Sequence, residues 1–443
     1  MDITTIRTSG LGDNTYVAIH DGQAIIVDPQ RDIDRFLDVL EYSKVELRYV
    51  LETHIHNDYV SGGRELAAHT GAELVIPASA AVPFDHLPAF HNEAVGRGTW
   101  ILRPIHTPGH TPEHLSYLVE IEGEPFALFS GGSLLVGSAG RPDLLGMDRA
   151  RTLAHLQYIS VNRLAELPDE VGLYPTHGSG SFCTATAASS ATSTIGAEKT
   201  SNPVLQYPDL ESFIAGQLSG LQPYPAYYAH MGPTNLAGPQ PGPNHDLVEL
   251  AVADIGESAV VDIRPAPQFA GGHLAGAIGI PFGDQVGVWA GWVLPFNAEV
   301  VIVAERGQDI DEVRRQFSRI GFDRVRGVLF DLGDDTELVS YESVRLSEFM
   351  KRAQTGQVEQ LVDVRQPSEW DEGHIEGSIH AYTPDLFDDV GRLDDSRPAW
   401  LICGTGHRAT VATAALEKGG VTPVVLVGHG VTDVMRRGLV SLS

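Results

Sequence analysis

An internal repeat constrains the fold of the second half of this 443-residue chain more than any other feature. Residues 260–278, VVDIRPAPQFAGGHLAGAI, align with residues 361–379, LVDVRQPSEWDEGHIEGSI, at an offset of 101 residues. Each copy has an apolar run that ends in Asp-x-Arg, then Gly-His-x-x-Gly, and later a second strand and a helix. That order is typical of a doubly wound parallel sheet, and the period exceeds the roughly 20 to 50 residues of solenoid repeats. The repeat predicts two tandem α/β domains.

The first half of the chain has a different pattern, in which short apolar runs alternate with loops. Strands are predicted at residues 23–27, 47–51, 74–76, 115–121 and 126–129. Residues 62–70 and 149–167 have the apolar spacing of helices. We therefore expect a sandwich of sheets and flanking helices, with the histidines in loops at strand ends.

A segment rich in proline and glycine separates the two halves. The Pro and Gly density of residues 231–245, MGPTNLAGPQPGPNH, disfavours both helix and strand, which predicts an inter-domain linker. Together with the repeat, the linker gives three predicted domains, which are residues 1–245, 246–338 and 339–443.

Composition and charge exclude several classes of partner. Hydrophobic residues make up 42% and charged residues 20% of the chain, as in a folded soluble protein. The 58 acidic and 30 basic side chains give a formal charge of -28, which repels nucleic acid and anionic membranes. We find neither a signal-peptide pattern nor the ~20 apolar residues of a membrane helix. Because the only cysteines are Cys183 and Cys403, we expect a reducing compartment, the cytoplasm.

Three histidine motifs in the first half indicate a metal site. His54 and His56 lie in THIHNDY, His110 lies in TPGHT and His177 lies in PTHG. A lone histidine is more often a surface or hydrogen-bonded residue, but imidazoles at several strand ends can converge on one ion. His-x-His followed by Asp, then Pro-Gly-His, then Thr-His-Gly resembles the metallo-β-lactamase fold superfamily over residues 3–180.

Within that superfamily, TPGHTPEHLSYL, GRPDL and HGSGSFC resemble the persulfide dioxygenases. The resemblance implies a mononuclear iron, held by two histidines and an aspartate, that oxidises a thiol persulfide to sulfite. By motif, the histidines are His54 and His110. Where the family has Thr-Gly-Asp-Thr-Leu, however, this chain has SGGSL, which puts Gly132 at the position of the aspartate.

A second departure is Tyr59, which stands where many superfamily members have a histidine. Two-metal hydrolysis needs that histidine and the bridging aspartate, so their loss argues against a glyoxalase-like or lactamase-like metal-dependent hydrolase. His54, His56 and His110 remain as three nitrogen ligands for one ion, Fe(II) or alternatively Zn, with positions open for substrate and dioxygen. The alternative is a domain that binds zinc weakly, or no metal.

Other side chains near these motifs are candidates for supporting roles. Asp58 and His177 are spare donors for the missing carboxylate. Arg141 in GRPD is a candidate anion contact, because guanidinium pairs bidentately with carboxylates, and its alternative is a salt bridge to Asp143. Cys183 on a Gly/Ser-rich loop is a candidate sulfur acceptor in the substrate site, with simple burial as its alternative.

The last predicted domain carries a cysteine in a loop suited to nucleophilic chemistry. Residues 400–402 are predicted as a strand, and the loop CGTGHR at residues 403–408 leads to a helix near Ala409. A thiol at such a turn faces backbone N–H groups and a positive helix end, and both favour the thiolate. The alternative is a merely buried thiol.

Over residues 346–439, the Cys-x-x-Gly-x-Arg loop, the preceding Asp-x-Arg and the GHIEG segment resemble the rhodanese sulfurtransferases. The resemblance implies that Cys403 carries sulfane sulfur as a persulfide and that Arg408 orients the anionic acceptor. The implied substrate-binding residues of the loop are Gly404, Thr405, Gly406 and His407.

The middle copy lacks the nucleophile. Its equivalent strand, residues 300–303, continues as Ala304-Glu305-Arg306-Gly307 without a sulfur atom. We expect this copy to be a spacer or docking module, and we expect residues 224–231 to help cover the metal cleft.

The complete domain order resembles bacterial persulfide dioxygenase-rhodanese fusion proteins. The predicted fold class is α/β, a metallo-β-lactamase-like αββα sandwich followed by two tandem rhodanese-like doubly wound parallel-sheet domains. The resemblance implies that a small-thiol persulfide is oxidised to sulfite, that sulfite takes sulfur from Cys403 to give thiosulfate, and that the protein is a homo-oligomer. Two alternatives stay open: a sulfurtransferase whose first domain has lost its oxidising activity through Gly132, and a scaffold that stores sulfur on Cys403 without turnover.

Overall fold

The computed structural model describes residues 1–96, 100–184, 190–243, 246–439 and 441–442. The chain divides into two compact units, Met1–Pro243 with Ser318–Gly321 and Asn244–Phe317 with Phe322–Ser443. The domain boundary expected between residues 245 and 246 stays a prediction, because residues 244 and 245 lie outside the described residues. No helix of the described residues is long and apolar enough to cross a bilayer.

Two β-sheets stack at the centre of the first unit. Its strands are β1 (Asp2–Thr8), β2 (Asp13–His20), β3 (Gln23–Val27), β4 (Glu46–Leu51), β5 (Glu73–Pro77), β6 (Leu87–Ala89), β7 (Trp100–His106), β8 (Leu115–Ile121), β9 (Glu124–Gly131), β10 (Leu134–Leu135), β11 (Ser138–Ala139), β12 (Gly172–Pro175) and β13 (Ser193–Thr194). One sheet runs from β1 to β6 in chain order, and the other has the order β13-β12-β9-β8-β7. Tyr16 and Val27 of the first sheet share a buried cluster with Tyr117 and Phe129 of the second, so the sheets pack face to face.

Helices cover the outer face of each sheet. They are α1 (Asp34–Ser43), α2 (Gly63–Thr70), α3 (Met147–Leu164), α4 (Ile195–Ser201), α5 (Leu210–Ser219) and α6 (Tyr228–Ala237). Phe36 of α1 and Leu66 of α2 pack on the first sheet, and Val161 of α3 and Phe213 of α5 pack on the second. The predicted αββα sandwich is confirmed, because each sheet buries one face against the other sheet and one against helices.

The sequence predicted five strands and two helices of this unit, with one error in the linker. Strands β3 and β8 begin and end at the predicted residues, and α2 begins one residue later than predicted. The first part of the proline-rich segment is helical, however, with Pro233 inside α6. The prediction of a linker there was wrong because tertiary contacts with the histidine loop, described below, stabilise a helix that local propensity disfavours.

The second unit contains two parallel sheets with the same strand order. Its strands are β14 (Val248–Glu249), β15 (Ala259–Asp262), β16 (Ile278–Gly279), β17 (Val300–Val303), β18 (Val325–Leu329), β19 (Glu342–Val344), β20 (Leu361–Asp363), β21 (Ile379–His380), β22 (Ala399–Ile402) and β23 (Pro423–Leu426). The orders are β14-β18-β17-β15-β16 and β19-β23-β22-β20-β21. Every strand of the first sheet has its counterpart at the same place in the second, as duplication of one unit requires.

Helices flank both parallel sheets. They are α7 (Ala266–Gly271), α8 (Val286–Val293), α9 (Ile310–Arg319), α10 (Leu346–Gln354), α11 (Pro367–Glu372), α12 (Thr383–Asp388), α13 (His407–Lys418) and α14 (Val431–Arg436). In each copy the last residue of β17 or β22 pairs with the aspartate of Asp-x-Arg. The next residue is Ala304 in the first copy and Cys403 in the second, so the sheet register agrees with the predicted loss of the nucleophile. Helix α13 begins two residues before the predicted Ala409.

A buried ion pair recurs in both copies. Arg365 donates to both carboxylate oxygens of Asp363 at 2.7 to 3.0 Å and to the carbonyl oxygen of Gly373 at 2.8 Å. Arg264 contacts Asp262 in the same way one repeat earlier. The guanidinium ties the strand end to the Gly-His loop, which explains why Asp-x-Arg and Gly-His occur together in the repeat.

We predict that Asp363→Ala destabilises the second unit, because it leaves Arg365 buried without its partner. Asp363 is 1% and Arg365 7% exposed. Breaking a buried pair of this kind costs about 3 to 5 kcal/mol, and we expect a fall of about 3 kcal/mol in the free energy of unfolding measured in urea. Asp371→Ala, at an exposed position of α11, is the control and should change stability by less than about 0.5 kcal/mol. Equal stability of the two variants would contradict the assignment.

Candidate metal and sulfur-transfer sites

The histidine motifs of the first unit come together at one edge of the sandwich. His54 and His56 follow β4, His110 follows β7, and His177 follows β12. All four side chains are at most 1% exposed. Neighbouring imidazole rings lie 4.1 to 6.2 Å apart between centroids. The four rings thus face one another out of contact with bulk water.

Three of these imidazoles have the same hydrogen-bond arrangement. Nδ1 of His110 donates to the carbonyl oxygen of Arg141 at 2.8 Å, and Nδ1 of His177 lies 2.9 Å from a carboxylate oxygen of Asp13. Nδ1 of His54 lies 2.8 Å from the hydroxyl of the preceding threonine, whose own proton goes to a buried carboxylate. In the neutral rings of His54 and His110, Nδ1 is the donor and Nε2 carries the lone pair.

The three Nε2 atoms converge. The ligand atoms of His54, His110 and His177 all lie within 4.8 Å of one another, and Nε2 of His54 is 3.4 Å from Nε2 of His177. Nε2 of His110 is buried without a hydrogen-bond partner among the described residues. Imidazole nitrogens of this kind are ligands for zinc and iron. The residues present therefore fit a metal ion.

His56 lies in a more acidic environment. Its Nε2 is 3.3 Å from a carboxylate oxygen of Asp28, 3.3 Å from one of Glu52 and 3.0 Å from the hydroxyl of Tyr59. Burial lowers the pKa of His56, but the two carboxylates outweigh burial and hold the pKa well above its ordinary value. Its Nδ1 has no hydrogen-bond partner in the part of the chain that the structure describes.

The structure brings together two of the three predicted metal ligands and adds another. His54 and His110 belong to one group with His177, whereas His56 groups either with Asp28 and His54 or with Asp58 and His177. A group of His54, His56 and His110 is absent from the described residues at the same distance limit. Their assignment as one ligand set stays a prediction.

The converging histidines differ in pKa, because burial lowers the pKa of two of them and carboxylates raise that of the third. Burial lowers the pKa of His54 well below its ordinary value, and it lowers that of His110 to about 3. Burial also lowers the pKa of His177, but Asp58 and Asp13 outweigh it and raise the pKa to about 9. The same crowding raises the pKa of Asp13 to about 8, through burial first and Asp58 second.

Gly132 and Tyr59 occupy the positions at which the superfamily pattern has ligands. A Cβ atom on Gly132 would lie 2.3 Å from Cδ2 and 2.9 Å from Nε2 of His110, so the imidazole fills the space of the missing aspartate. Tyr59 stacks on His56 with ring centroids 4.3 Å apart and donates its hydroxyl to the carbonyl of Asp28 at 3.2 Å. Burial raises the pKa of this phenol well above its ordinary value. Tyr59 is therefore a neutral packing and donor residue.

Arg141 is held by Asp143. Nε and Nη2 donate to the two carboxylate oxygens at 2.7 Å each, and the guanidinium lies 4.6 Å from the ring centroid of Tyr224. With the side chain 5% exposed and paired in this way, the salt bridge is observed in place of an open anion contact. Arg141 instead positions His110 through its backbone carbonyl.

Cys183 lies beside the histidine cluster. Its Sγ donates to Asp58 Oδ2 at 3.7 Å, and the same oxygen lies 3.3 Å from Nδ1 of His177. Burial raises the pKa of the thiol well above its ordinary value, and Asp58 and Asp13 raise it further. These surroundings disfavour the thiolate that a sulfur acceptor needs. A role for Cys183 in the substrate site stays a prediction.

Helix α6 fixes the loop that carries His56. Asn235 Nδ2 donates to the carbonyls of His56 and Tyr59 at 2.8 Å each, and Asn235 Oδ1 accepts from the backbone N–H of Ser61 at 2.9 Å. These bonds explain why the proline-rich segment is helical there. They also place residues of α6 beside the cleft that residues 224–231 were expected to cover.

The Cys403 loop of the second unit forms a turn with donors around the sulfur. Sγ accepts a hydrogen bond from the backbone N–H of Gly406 at 3.1 Å. Gly406 caps α13 with a φ of 101°, which a residue without Cβ adopts without strain. Cys403 is 1% exposed, whereas Gly404 and Thr405 are exposed. The thiol lies at the base of the loop, at the positive end of α13.

Arg408 pairs with a carboxylate that sequence analysis did not single out. Its Nη2 donates to Glu369 Oε1 at 2.9 Å, and its Nη1 donates to the other oxygen. Burial raises the pKa of Glu369, but the pairing with Arg408 brings the pKa below its ordinary value. An incoming anion has to compete with Glu369 for this guanidinium, and the predicted role of Arg408 stays a prediction.

Both copies line the groove around the Cys403 loop. Trp289 of α8 lies 6.3 Å from His407, and Trp292 of α8 lies 5.6 Å from Tyr382, between ring centroids. Burial lowers the pKa of His407 to about 4, so this imidazole is neutral at pH 7. The groove is lined by Ala266, Pro267 and Pro281 of the first copy and by Arg345, Thr405, Gly406 and His407 of the second. The copy without a cysteine thus supplies part of the wall.

Sequence analysis missed the buried acids that orient the histidines. Asp28 directly follows β3, Glu52 directly follows β4, and Asp13 begins β2, each at most 5% exposed. A single carboxylate beside a buried apolar run was the available signal, since such a group needs a hydrogen-bonded or charged partner. Glu369 gave no comparable signal, because an acidic residue early in a helix is common.

Comparisons with known proteins match both units. The pattern of the metallo-beta-lactamase superfamily matches residues 9–177, and that of the rhodanese-like domain matches residues 346–436. The chain is 32% identical over 156 residues to a hydroxyacylglutathione hydrolase of Hahella chejuensis, a match that spans 35% of this chain and 57% of the relative. It is 26% identical to the hydroxyacylglutathione hydrolase GloC of Haemophilus influenzae, over 46% of this chain and 98% of that protein.

A solved structure agrees with these matches. The crystal structure of a metallo-beta-lactamase from Staphylococcus aureus subsp. aureus COL has a TM-score of 0.68 and 27% identity, and it covers 74% of this chain and 98% of its own. The chain therefore combines an N-terminal metallo-β-lactamase domain with a C-terminal rhodanese-like domain.

We predict that the two thiols differ in reactivity in the folded protein. Iodoacetamide should modify Cys403 at least about tenfold faster than Cys183, because Cys403 Sγ accepts a backbone N–H at the start of a helix, whereas burial and nearby carboxylates raise the pKa of Cys183. Peptide mass spectrometry over a time course measures both rates, and the urea-unfolded chain, in which both react, is the control. Equal rates in the folded protein would contradict the prediction.

Proposed function

We propose that this chain is a sulfur-metabolism enzyme that transfers sulfane sulfur through Cys403 to sulfite and oxidises a small-thiol persulfide in its first domain. The observation that carries the proposal is the position of Cys403 at the positive end of α13, with the Gly406 N–H on its sulfur. The histidine cluster of the first domain, which fits a metal ion, supports the proposed oxidation of the persulfide.

Sulfur transfer by Cys403 needs two displacements. The Cys403 thiolate attacks the outer sulfur of a persulfide, the S–S bond of the persulfide breaks, and the thiol leaves with the proton. A lone pair of sulfite sulfur then attacks the outer sulfur of the Cys403 persulfide, the second S–S bond breaks, and thiosulfate leaves as the thiolate is restored. The Gly406 N–H stabilises the charge on Cys403 at both stages, and the loop amides receive the terminal sulfur.

The first domain contributes a buried set of oriented imidazoles. His54 and His110, with His56 or His177, would hold the metal, Fe(II) in this proposal and zinc as the alternative. Iron bound there supplies the redox chemistry by which a persulfide, dioxygen and water give a thiol, sulfite and two protons. The chain's own contribution is to fix each ring through its second nitrogen and to exclude bulk water.

The remaining proposals concern the middle of the chain and its assembly. Residues 246–338 would be a cysteine-less rhodanese-like domain, between a first domain of residues 1–245 and a last domain of residues 339–443. The sequence repeat and the shared strand order support this division. The middle domain would shape the acceptor groove through Ala266, Pro267 and Pro281, and a homo-oligomer remains the expected assembly.

Two other functions compete with this proposal. The named relatives are hydroxyacylglutathione hydrolases, which favours a metal-dependent hydrolase, although Gly132 and Tyr59 remove two ligands of a two-metal site. A glutathione thioester hydrolysed by the zinc-loaded protein would favour this alternative. The other competitor is a sulfurtransferase whose first domain has lost its oxidising activity.

We predict that Cys403→Ser abolishes thiosulfate formation from sulfite and a small-thiol persulfide, because a hydroxyl cannot carry sulfane sulfur. The matched control is Cys183→Ser, which should keep at least about half of the wild-type rate. Thiosulfate is measured by ion chromatography under anaerobic conditions, so that oxidation does not contribute. Wild-type activity in Cys403→Ser, or loss of activity only in Cys183→Ser, would reject the proposed carrier.

A further inference from the structure

The imidazole of His110 stands where an aspartate side chain at position 132 would need space. A Cβ atom on Gly132 would lie 2.3 Å from Cδ2, 2.8 Å from Cγ and 2.9 Å from Nε2 of this ring. The ring is held in place, since its Nδ1 donates to the carbonyl of Arg141 at 2.8 Å. Position 132 therefore does more than lack a ligand, because a side chain there would displace the imidazole of His110 from this position.

His177 faces the same point from the opposite loop. Its Nε2 is 3.4 Å from Nε2 of His54, while Nδ1 of each ring is engaged with a hydroxyl or carboxylate oxygen. At this distance either a proton on one of the two nitrogens is shared as a hydrogen bond, or a cation lies between them and binds both. Two nitrogens bound to one tetrahedral ion at ~2.0 to 2.1 Å are about 3.3 to 3.4 Å apart, which matches the observed separation.

His56 is tied to a different set of partners. Its Nε2 faces Asp28, Glu52 and Tyr59, two of them carboxylates at 3.3 Å. Its group with His54 contains Asp28, and its group with His177 contains Asp58. The position of His56 is explained by its charge, which compensates the buried carboxylates of Asp28 and Glu52.

We infer that the first domain binds one transition-metal ion through Nε2 of His54, His110 and His177, and that Gly132 is the positioning residue that makes room for His110. This inference rests on the proposed metal-dependent function of that domain. It departs from the ligand set expected from sequence, because His177 takes the third place and His56 stays with the carboxylates. It also predicts that a carboxylate restored at position 132 weakens metal binding.

The test is titration of chelator-treated full-length protein with Co²⁺ under anaerobic conditions. The d–d absorption of bound Co²⁺ reports the ligand field, and mass spectrometry of the metal after desalting gives the stoichiometry. We expect one ion per chain in the wild type, affinity at least about tenfold weaker in His177→Gln, and affinity within about twofold of wild type in His155→Gln, at an exposed position of α3. Thermal unfolding of the metal-free variants shows whether each is folded.

The glycine variants decide the question if a histidine variant does not fold. Gly132→Ala and Gly132→Asp should both weaken Co²⁺ binding at least about tenfold, because either Cβ displaces His110. Gly220→Ala is the control, since its Cβ would meet its nearest atom only at 3.9 Å. Binding by Gly132→Asp as tight as wild type or tighter would overturn the inference. Wild-type affinity in a folded His177→Gln variant would also overturn it.

Failure of this inference and failure of the proposed function give different results. If Co²⁺ binding depends on His177 but the iron-loaded protein consumes no dioxygen with a persulfide, the ligand set stands and the dioxygenase proposal falls. If dioxygen is consumed while metal binding does not depend on His177, the proposed function stands and the inferred ligand set falls.

Discussion

The carboxylate of Asp28 holds together the loops on which the histidine cluster depends. It accepts hydrogen bonds from the backbone N–H and the hydroxyl of Thr53 at 2.7 Å each, and from the hydroxyl of Thr176. Thr53 precedes His54 and Thr176 precedes His177, so one buried side chain fixes two of the converging rings. Burial raises the pKa of Asp28, but His56 and these donors outweigh burial and keep the group ionised.

The hydrogen bonds of Asp28 also determine which nitrogen of His54 is free. Since Thr53 gives its proton to Asp28, its oxygen can only accept from Nδ1 of His54. The carboxylate of Asp13 accepts a hydrogen bond from Nδ1 of His177 and orients that ring. The site is therefore preorganised by its acids, which select the tautomers before any ligand arrives.

Much of the fold could be predicted because periodicity and repetition are properties of the chain itself. The 101-residue offset predicted the two parallel sheets, and short apolar runs predicted β3 and β8 with the bounds that the structure shows. Helix α6 could not be predicted in this way, since its stability comes from Asn235 and the distant histidine loop.

The candidate sites were predictable to a different degree. Motif order predicts His54, His110 and Cys403 as site residues, but the contribution of a side chain depends on its neighbours in space. Arg141 pairs with Asp143, Arg408 pairs with Glu369, and His56 contacts buried carboxylates. None of these pairings could be predicted from local spacing in the sequence. Gly132 is the clearest case, because sequence shows a missing ligand and the structure shows an occupied space.

Dioxygen uptake tests whether this one chain joins persulfide oxidation to sulfur transfer, as we propose. Iron is loaded anaerobically, a small-thiol persulfide is added, and dioxygen is followed with an electrode while sulfite and thiosulfate are measured. We expect persulfide-dependent uptake of dioxygen, with one dioxygen consumed per sulfur oxidised, and no uptake above background in His110→Ala. Full sulfur transfer by Cys403 without any dioxygen uptake would contradict it and leave the chain a sulfurtransferase.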